Sequence, residues 1–455
     1  VQKRVKQKLQ TVAVQEGLRY VERNPQENIP KLMKWLRTFA RIPEHREIID
    51  NGLETWDRTD RGWRPLIERS FEQLSPNVRR KFLVNFVVNA ILHGTPAGHE
   101  LIDAYDINVP WAILMDPTSN CNFNCTGCWA QQYEKQADLS FETMDRIISE
   151  GKELGIYMYL YSGGEPLLRA EDLTALAEKH DDCMFCAFTN ASLVDHALAE
   201  KWAELGNFTL AISMEGFEEE TDLRRGQGSA RRMLDAMDIL RQHGVGFGFS
   251  TCYHRNNTET VVSEEFVDFM VAKGAIFGWY FTYIPLGRHA DTDLLATPEQ
   301  RQLVKERIDQ YSTEKDLFLI DFWNDGERVG GCIAGGRRYF HINAHGDVEP
   351  CAFIHYSDRN IHECSLWEAL HSPLFKQYRK HQPFNNNHLL PCPMLDNPDL
   401  LVKMVEEAGA KSTQQGDKES PQVLAEKCQE AAKRWRPVAE QIWAEEHEQE
   451  PAVRK

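Results

Sequence analysis

Residues 111–128, WAILMDPTSNCNFNCTGC, join a run of apolar, strand-forming residues to three cysteines on the loop that follows. WAILMDPT (111–118) reads as a strand, and the cysteines stand just past it. Cys121, Cys125 and Cys128 then stand in a C-x3-C-x2-C spacing. Thiolates are the usual ligands of iron–sulfur clusters, and four of them saturate a cubane. Three leave one iron open to a small molecule. Zinc is an alternative, although structural zinc wants four closed ligands, usually from paired C-x2–4-C knuckles. Three inert core cysteines are another.

Working outward, five more strands are expected, in YMYLYSGG (157–164), CMFCAFTN (183–190), FTLAISME (208–215), FGFSTCYH (247–254) and IFGWYFTYIP (276–285). Helical stretches such as SFETMDRIISEGKELG (140–155) and SARRMLDAMDILRQHG (229–244) lie between them. Strands alternating with helices specify an α/β fold with a parallel sheet. Six units over 107–290 suggest a partial (β/α)6 barrel, whose chemistry belongs at the C-terminal ends of the strands. Residues 1–106 read as an all-helical N-terminal domain, from VKQKLQTVAVQEGLRYVER (5–23) to SPNVRRKFLVNFVVNAILHG (75–94). An irregular, cysteine-bearing extension is expected over 291–407. Residues 408–455 read as a polar linker, AGAKSTQQGDKES, and a C-terminal helix interrupted at Pro437.

Further motifs fall at successive strand ends. SGGEP (Ser162, Gly163, Gly164, Glu165, Pro166) has consecutive glycines that let backbone approach a ligand. FTN ends at Asn190, ISMEG contains Ser213 and Glu215, and DLRRGQG contains Arg225. With the cysteine motif, these make residues 109–290 resemble the radical S-adenosylmethionine (SAM) superfamily. The resemblance implies that Cys121, Cys125 and Cys128 hold a [4Fe–4S] cluster whose fourth iron SAM chelates. It implies reductive cleavage of SAM to a 5′-deoxyadenosyl radical that abstracts hydrogen from an unactivated C–H.

The resemblance also assigns SAM contacts to the 163–166 loop, Asn190, Ser213, Glu215, Arg225 and Ser250, with Asn256 and the YIPLGR segment (283–288) as further candidates. Arg225 would pair the SAM carboxylate through its bidentate fork. Three departures stand out. Ala191 replaces the Gly of a Thr-Asn-Gly segment, Glu215 replaces Asp, and Gly127 occupies a position that is often aromatic, the nearest aromatic being Trp129.

Farther along, FHINAHGDVEPC (340–351) reads as a hairpin turning at His345–Gly346–Asp347. Cys332, Cys351 and Cys392 frame it. This resembles the SPASM/twitch extensions that carry auxiliary [4Fe–4S] clusters, here in a shortened form without the C-x2-C-x3-C run. Cys364 is a candidate fourth ligand or a small buried hydrophobe. Zinc and no metal remain the alternatives. Cys183, Cys186, Cys252 and Cys428 read as core, and His341, His345 and His355 as ordinary hydrogen-bonded histidines.

The net charge of −17 disfavours nucleic acid as a partner. No run approaches the twenty apolar residues of a membrane span. The charged start, VQKRVKQKLQ, lacks a signal-like apolar core, so a cytoplasmic enzyme is expected, with peripheral membrane contact open. The chemistry requires an external one-electron donor such as a flavodoxin or ferredoxin. The organic substrate is expected to be a small molecule or lipid, because FLVNFVVNAIL suits an apolar lid and the N-terminal region lacks the small sheet of peptide-recognition modules. A peptide-modifying maturase is the alternative, and a non-catalytic electron-transfer protein the remote one.

Overall fold

The structure is a computed structural model, and it describes residues 17, 20–21, 23–40, 42–58, 63–133, 136–287, 290–416 and 418–448. Most of the helix expected over 5–23, and Arg288, lie outside the described residues.

All six expected strands are present: β1 (Ala112–Met115), β2 (Met158–Tyr161), β3 (Met184–Thr189), β4 (Phe208–Ser213), β5 (Phe247–Tyr253) and β6 (Phe277–Thr282). Each pairs in parallel with the next. Three more strands join the sheet, giving the order β7-β6-β5-β4-β3-β2-β1-β8-β9. β7 (Phe318–Asp321) continues the series beside β6. β8 (Tyr339–Ile342) returns to the far side of β1 and pairs with it in parallel, Ala112 opposite Tyr339. β9 (Val348–Glu349) closes the expected hairpin on β8, its turn made by Gly346 at φ +85°. The partial barrel is therefore wider than six units. β7 was hidden because its four residues, FLID, are too few to show a period.

Capping places the outer helices. Ser140, Asp195, Ser263 and Thr297 each accept a backbone N–H from the first turn of the helix they open. Side chains alternate across the sheet. Phe185, Phe208, Phe247 and Tyr253 pack under the helices, while Leu114, Leu160, Cys186 and Ala211 face a second core that the C-terminal extension completes. Cys183 and Cys186 fall in opposite cores, as strand geometry requires.

The N-terminal helices cover the other end of the strands. Asn85 Nδ2 donates to the carbonyls of Asp181 (2.9 Å) and Cys183 (2.7 Å), just before β3. Asn89 Nδ2 reaches Asp182 O at 3.0 Å, and Arg69 Nη2 reaches Ala275 O at 2.8 Å, before β6. Val84, Val88 and Leu92 pack on Leu36 and Ala40. The run Phe82–Gly94, a helix of π geometry, is thus a plug at the N-terminal ends of the strands. It cannot be a lid over chemistry at the C-terminal ends, and that argument for a lipid substrate falls.

The C-terminal segment also departs from expectation. Within the stretch read as a polar linker, Thr413, Gln414 and Glu419 are buried, and Lys411–Ser412 pairs with Tyr356–Ser357. Thr413 donates to Glu349, Glu419 accepts from Gly287 N, and Gln414 accepts from Glu419 N within the segment, pairings that composition cannot show. The final helix, Pro421–Glu448, runs through Pro437 without interruption. Trp435 beside it is anchored by Nε1 to Leu389 O at 2.9 Å, and Ala439 packs against Leu389 and Leu390.

Replacing Asn85 with Leu removes two hydrogen bonds, leaving the Asp181 carbonyl to Lys81 Nζ and the Cys183 carbonyl to Asn207 Nδ2. The expected loss is about 1–3 kcal/mol of stability in a denaturant titration, with iron uptake unchanged because the plug lies at the far end of the sheet.

Candidate active site

β1 delivers the first cysteine triad onto its C-terminal loop, and the SGGEP loop packs directly beneath it. Gly164 N donates to Thr118 O (2.9 Å) and Glu165 N to Asn120 O (2.7 Å). A Cβ at Gly164 would overlap the Asn120 carbonyl, and Gly163 sits at φ +102° against Asp116. Only glycine allows this approach. The buried Glu165 carboxylate points inward. It accepts from Thr189 Oγ1 (2.5 Å), Asn190 N (2.8 Å) and Leu167 N (3.0 Å), so it ties the β2 loop to β3. Burial still pushes its carboxyl up. Pro166 starts the short turn that follows.

Asn190 Nδ2 donates to Asn122 Oδ1 at 2.8 Å, which couples the β3 end to the cysteine loop. Ala191, standing where a Gly was expected, is buried at φ +53°, a left-handed conformation that strains any residue with a Cβ.

None of the three thiols is in a disulfide. Cys121 Sγ accepts Phe123 N at 3.4 Å, and Cys125 Sγ lies 4.0 Å from Arg225 Nη1. Burial pushes the Cys121 thiol up to about 11 and raises Cys125, against the opposing charge of Arg225. Charge on Cys125 or Cys128 is felt at Cys121, and charge on Cys128 at Cys125. Burial suits thiols whose proton a metal displaces, and N–H···S contacts are what cluster sulfurs receive.

Arg225 is not free. Its Nε (2.8 Å) and Nη2 (2.5 Å) grip Glu215 Oε1, which Arg224 Nη1 also reaches at 2.5 Å. The wholly buried Glu215 would be raised by burial, but the two guanidiniums hold it low. Glu215 in place of Asp thus anchors the arginines, which return to the cysteine loop through Thr126 N→Arg224 O (2.9 Å).

Ser213 and Ser250 face each other in register between β4 and β5, both half-buried. Asn256 is exposed. Its neighbour Asn257, which the sequence reading passed over, is buried and donates to Glu215 O (3.0 Å) and Cys252 O (3.2 Å). Gly127 has its own explanation. It sits at φ +65°, and a Cβ there would meet the Tyr283 ring at 2.7 Å. The aromatic ring comes from the β6 loop, not from Trp129. Trp129 instead turns toward Phe353 and His341, with ring centroids 5.8 Å apart in each case.

Cys332, Cys351 and Cys392 form a second group. Tyr339 OH is 2.7 Å from Cys351 Sγ, and Cys392 Sγ accepts Met394 N and Leu395 N at 3.4 Å each. Burial pushes all three thiols up to about 12. Charge on any one is felt by another of the group. Cys364 stands apart. Its Sγ bonds Asn360 O at 3.2 Å, and its charged neighbours are Glu368, Arg359, Arg146 and Glu150.

Residues 115–267 match the radical SAM superfamily, and residues 332–393 match SPASM, an iron–sulfur cluster-binding domain. The chain is a radical SAM enzyme with a C-terminal SPASM domain. SAM and [4Fe–4S] clusters, one of them auxiliary, are its cofactors. It is 26% identical to the AdoMet-dependent heme synthase of Methanosarcina barkeri, over 60% of this chain and 85% of that one. It is 24% identical to the PqqA peptide cyclase of Granulibacter bethesdensis, over 60% and 77%. The fold matches Streptococcus suis SuiB bound to SAM, with TM-score 0.53 and 17% identity over 65% of this chain and 74% of that one. It also matches SuiB bound to its precursor peptide SuiA, with TM-score 0.52 and 17% identity over 63% and 71%. No described helix is long and apolar enough to cross a membrane.

Gly164→Ala forces the SGGEP loop away from Asn120. SAM binding, measured by equilibrium dialysis on the reconstituted protein, is expected to weaken about tenfold or more, equivalent to about 1.4 kcal/mol. Ala191→Gly relieves a left-handed residue and is expected to raise stability by up to about 1 kcal/mol.

Proposed function

We propose that this enzyme oxidatively modifies a side chain of a ribosomally made peptide. Cys121, Cys125 and Cys128 hold the SAM-binding cluster, and Cys332, Cys351 and Cys392 the auxiliary one. When bound, these groups supply one-electron cleavage of SAM, hydrogen abstraction from an unactivated C–H, and a second one-electron site. The Gly163–Pro166 loop, Ser213 and Ser250 surround SAM, with Tyr283 and the rest of its loop bordering the adenine. Arg225 acts through Glu215 to fix the cysteine loop.

The observation that carries the reading is that the segments bearing the two thiol groups meet through aromatic contacts on the inner face of one sheet. The Cys128-proximal Trp129 touches Phe353, two residues past Cys351. Beside that contact the inner wall is aromatic. Phe188, Trp279, Phe281 and Phe322 are half-buried, with neighbouring ring centroids 5.0–5.8 Å apart. Such a wall suits an apolar or aromatic side chain presented by an extended peptide. The likeness to peptide cyclases and to SuiB supports a peptide substrate. The likeness to heme synthase, with the aromatic wall, favours a planar small molecule as the second reading. A flavodoxin or ferredoxin supplies the electron, in the cytoplasm.

The test uses reconstituted, reduced enzyme with two separate deuterated cell fractions, one of short peptides and one of lipids and small molecules. Deuterium should enter 5′-deoxyadenosine from the peptide fraction and not after Cys121→Ala. Label arriving from the other fraction alone would overturn the peptide reading.

A further inference from the structure

Between the two thiol groups lies a buried charged cluster that neither set of cluster ligands explains. His341 on β8 is wholly buried. Its Nδ1 is hydrogen-bonded to Glu349 Oε2 at 2.7 Å. Its Nε2 lies 2.9 Å from Asp116 Oδ1, an ionic contact without hydrogen-bond alignment. The two carboxylates come from the two cluster loops. Asp116 follows β1, five residues before Cys121. It accepts Ser162 Oγ at 2.7 Å and packs against Gly163, so it touches the first glycine of the SGGEP loop. Its Oδ2 is buried without a partner. Glu349 ends β9, two residues before Cys351. It also accepts Tyr133 OH (2.6 Å), Asn343 Nδ2 (3.2 Å) and Thr413 Oγ1. Tyr133 lies on the short helix that Trp129 opens, immediately after Cys128.

A carboxylate oxygen beside each ring nitrogen, at 2.7 and 2.9 Å, stabilises a positive ring electrostatically whether or not the N–H is aligned on it. Both nitrogens here face carboxylates. Burial alone would lower the His341 pKa, but Asp116 and Glu349 outweigh it and raise the ring to about 10. Burial also pushes the Glu349 carboxyl up, against its hydrogen-bond donors. The geometry decides for the imidazolium. Removing such a cation leaves two buried carboxylates uncompensated, a costly arrangement.

We propose that His341 is a positioning residue shared by both iron–sulfur sites, a buried cation that locks the loop bearing Cys121 to the hairpin bearing Cys351 and sets the electrostatic potential at each. This rests on the two-cluster reading above. A cation favours the reduced, more negative cluster, and the low dielectric of the interior extends its reach.

Potentiometric EPR titration of the reconstituted full chain tests this, with iron content and thermal unfolding of the apo-protein recorded alongside. His341→Gln should move both midpoint potentials to more negative values. The double variant His341→Gln/Glu349→Gln removes one negative charge as well, and should bring them back toward wild type. A purely structural role would lower the unfolding temperature and leave the potentials of the retained clusters unchanged. That result, in a wild type shown to carry two clusters, overturns the inference alone. A wild type with a single cluster overturns the two-cluster reading instead. Should His341→Gln fail to hold iron, Glu349→Gln decides, because it keeps the cation and should move both potentials the opposite way. Unchanged potentials there overturn the proposal.

Discussion

The parallel pairing of β8 with β1 is the contact on which the rest of the site depends. After seven strands laid down in order, the chain returns to the free edge of the first. Ala112 to Met115 then have β2 on one side and Tyr339 to Ile342 on the other. Strand direction fixes the consequence. Both β1 and β8 run toward the same end of the sheet, so the loop with Cys121 and the turn of the β8–β9 hairpin emerge side by side, while β9 runs back and sets Cys351 against Tyr339 at the start of β8. A domain that was merely tethered to the barrel would have no such fixed spacing. One-electron transfer between two sites needs that spacing held.

Around this pairing the protein places charge where metal chemistry needs it and covers the remainder. The thiols of both groups are largely withdrawn from water, which opposes their ionisation until metal displaces the protons. Glu215 is neutralised by two arginines beside the first group. Asp116 and Glu349 are bridged by His341 between the groups. The C-terminal segment seals this end. Gln415 N donates to Gln132 O at 3.2 Å, and Lys427 Nζ reaches Pro285 O at 3.1 Å while pairing with Glu419. The N-terminal helices plug the other end. Exposure to solvent at the inner face is left to the aromatic wall.

Much of this was legible in the residues. The cysteine spacing, the glycine pair and the six strand segments each rest on local chemistry that a sequence displays directly. The hairpin at Gly346 and the opposite facing of Cys183 and Cys186 followed from period and turn rules. What escaped reading depended on partners distant in sequence. Nothing local tells that the four residues of β8 will seek β1, or that a polar stretch at 411–419 will find buried acceptors. Arg225 looked free because Glu215 was seen only as a variant of Asp. Gly127 looked like a loss because the ring that covers it, Tyr283, lies on another strand's loop. His341 looked ordinary because one of its two carboxylates, Asp116, lies far from it in sequence, on the loop after β1.

The central claim is that two separate cysteine groups on one sheet each hold a cluster. The direct measurement is iron per chain after anaerobic reconstitution, in wild type and in two triple variants, Cys121→Ala/Cys125→Ala/Cys128→Ala and Cys332→Ala/Cys351→Ala/Cys392→Ala. Two [4Fe–4S] clusters amount to about eight irons in wild type, and each folded triple variant should keep about half. A folded C-terminal variant with wild-type iron, or an N-terminal variant with none, would contradict the account.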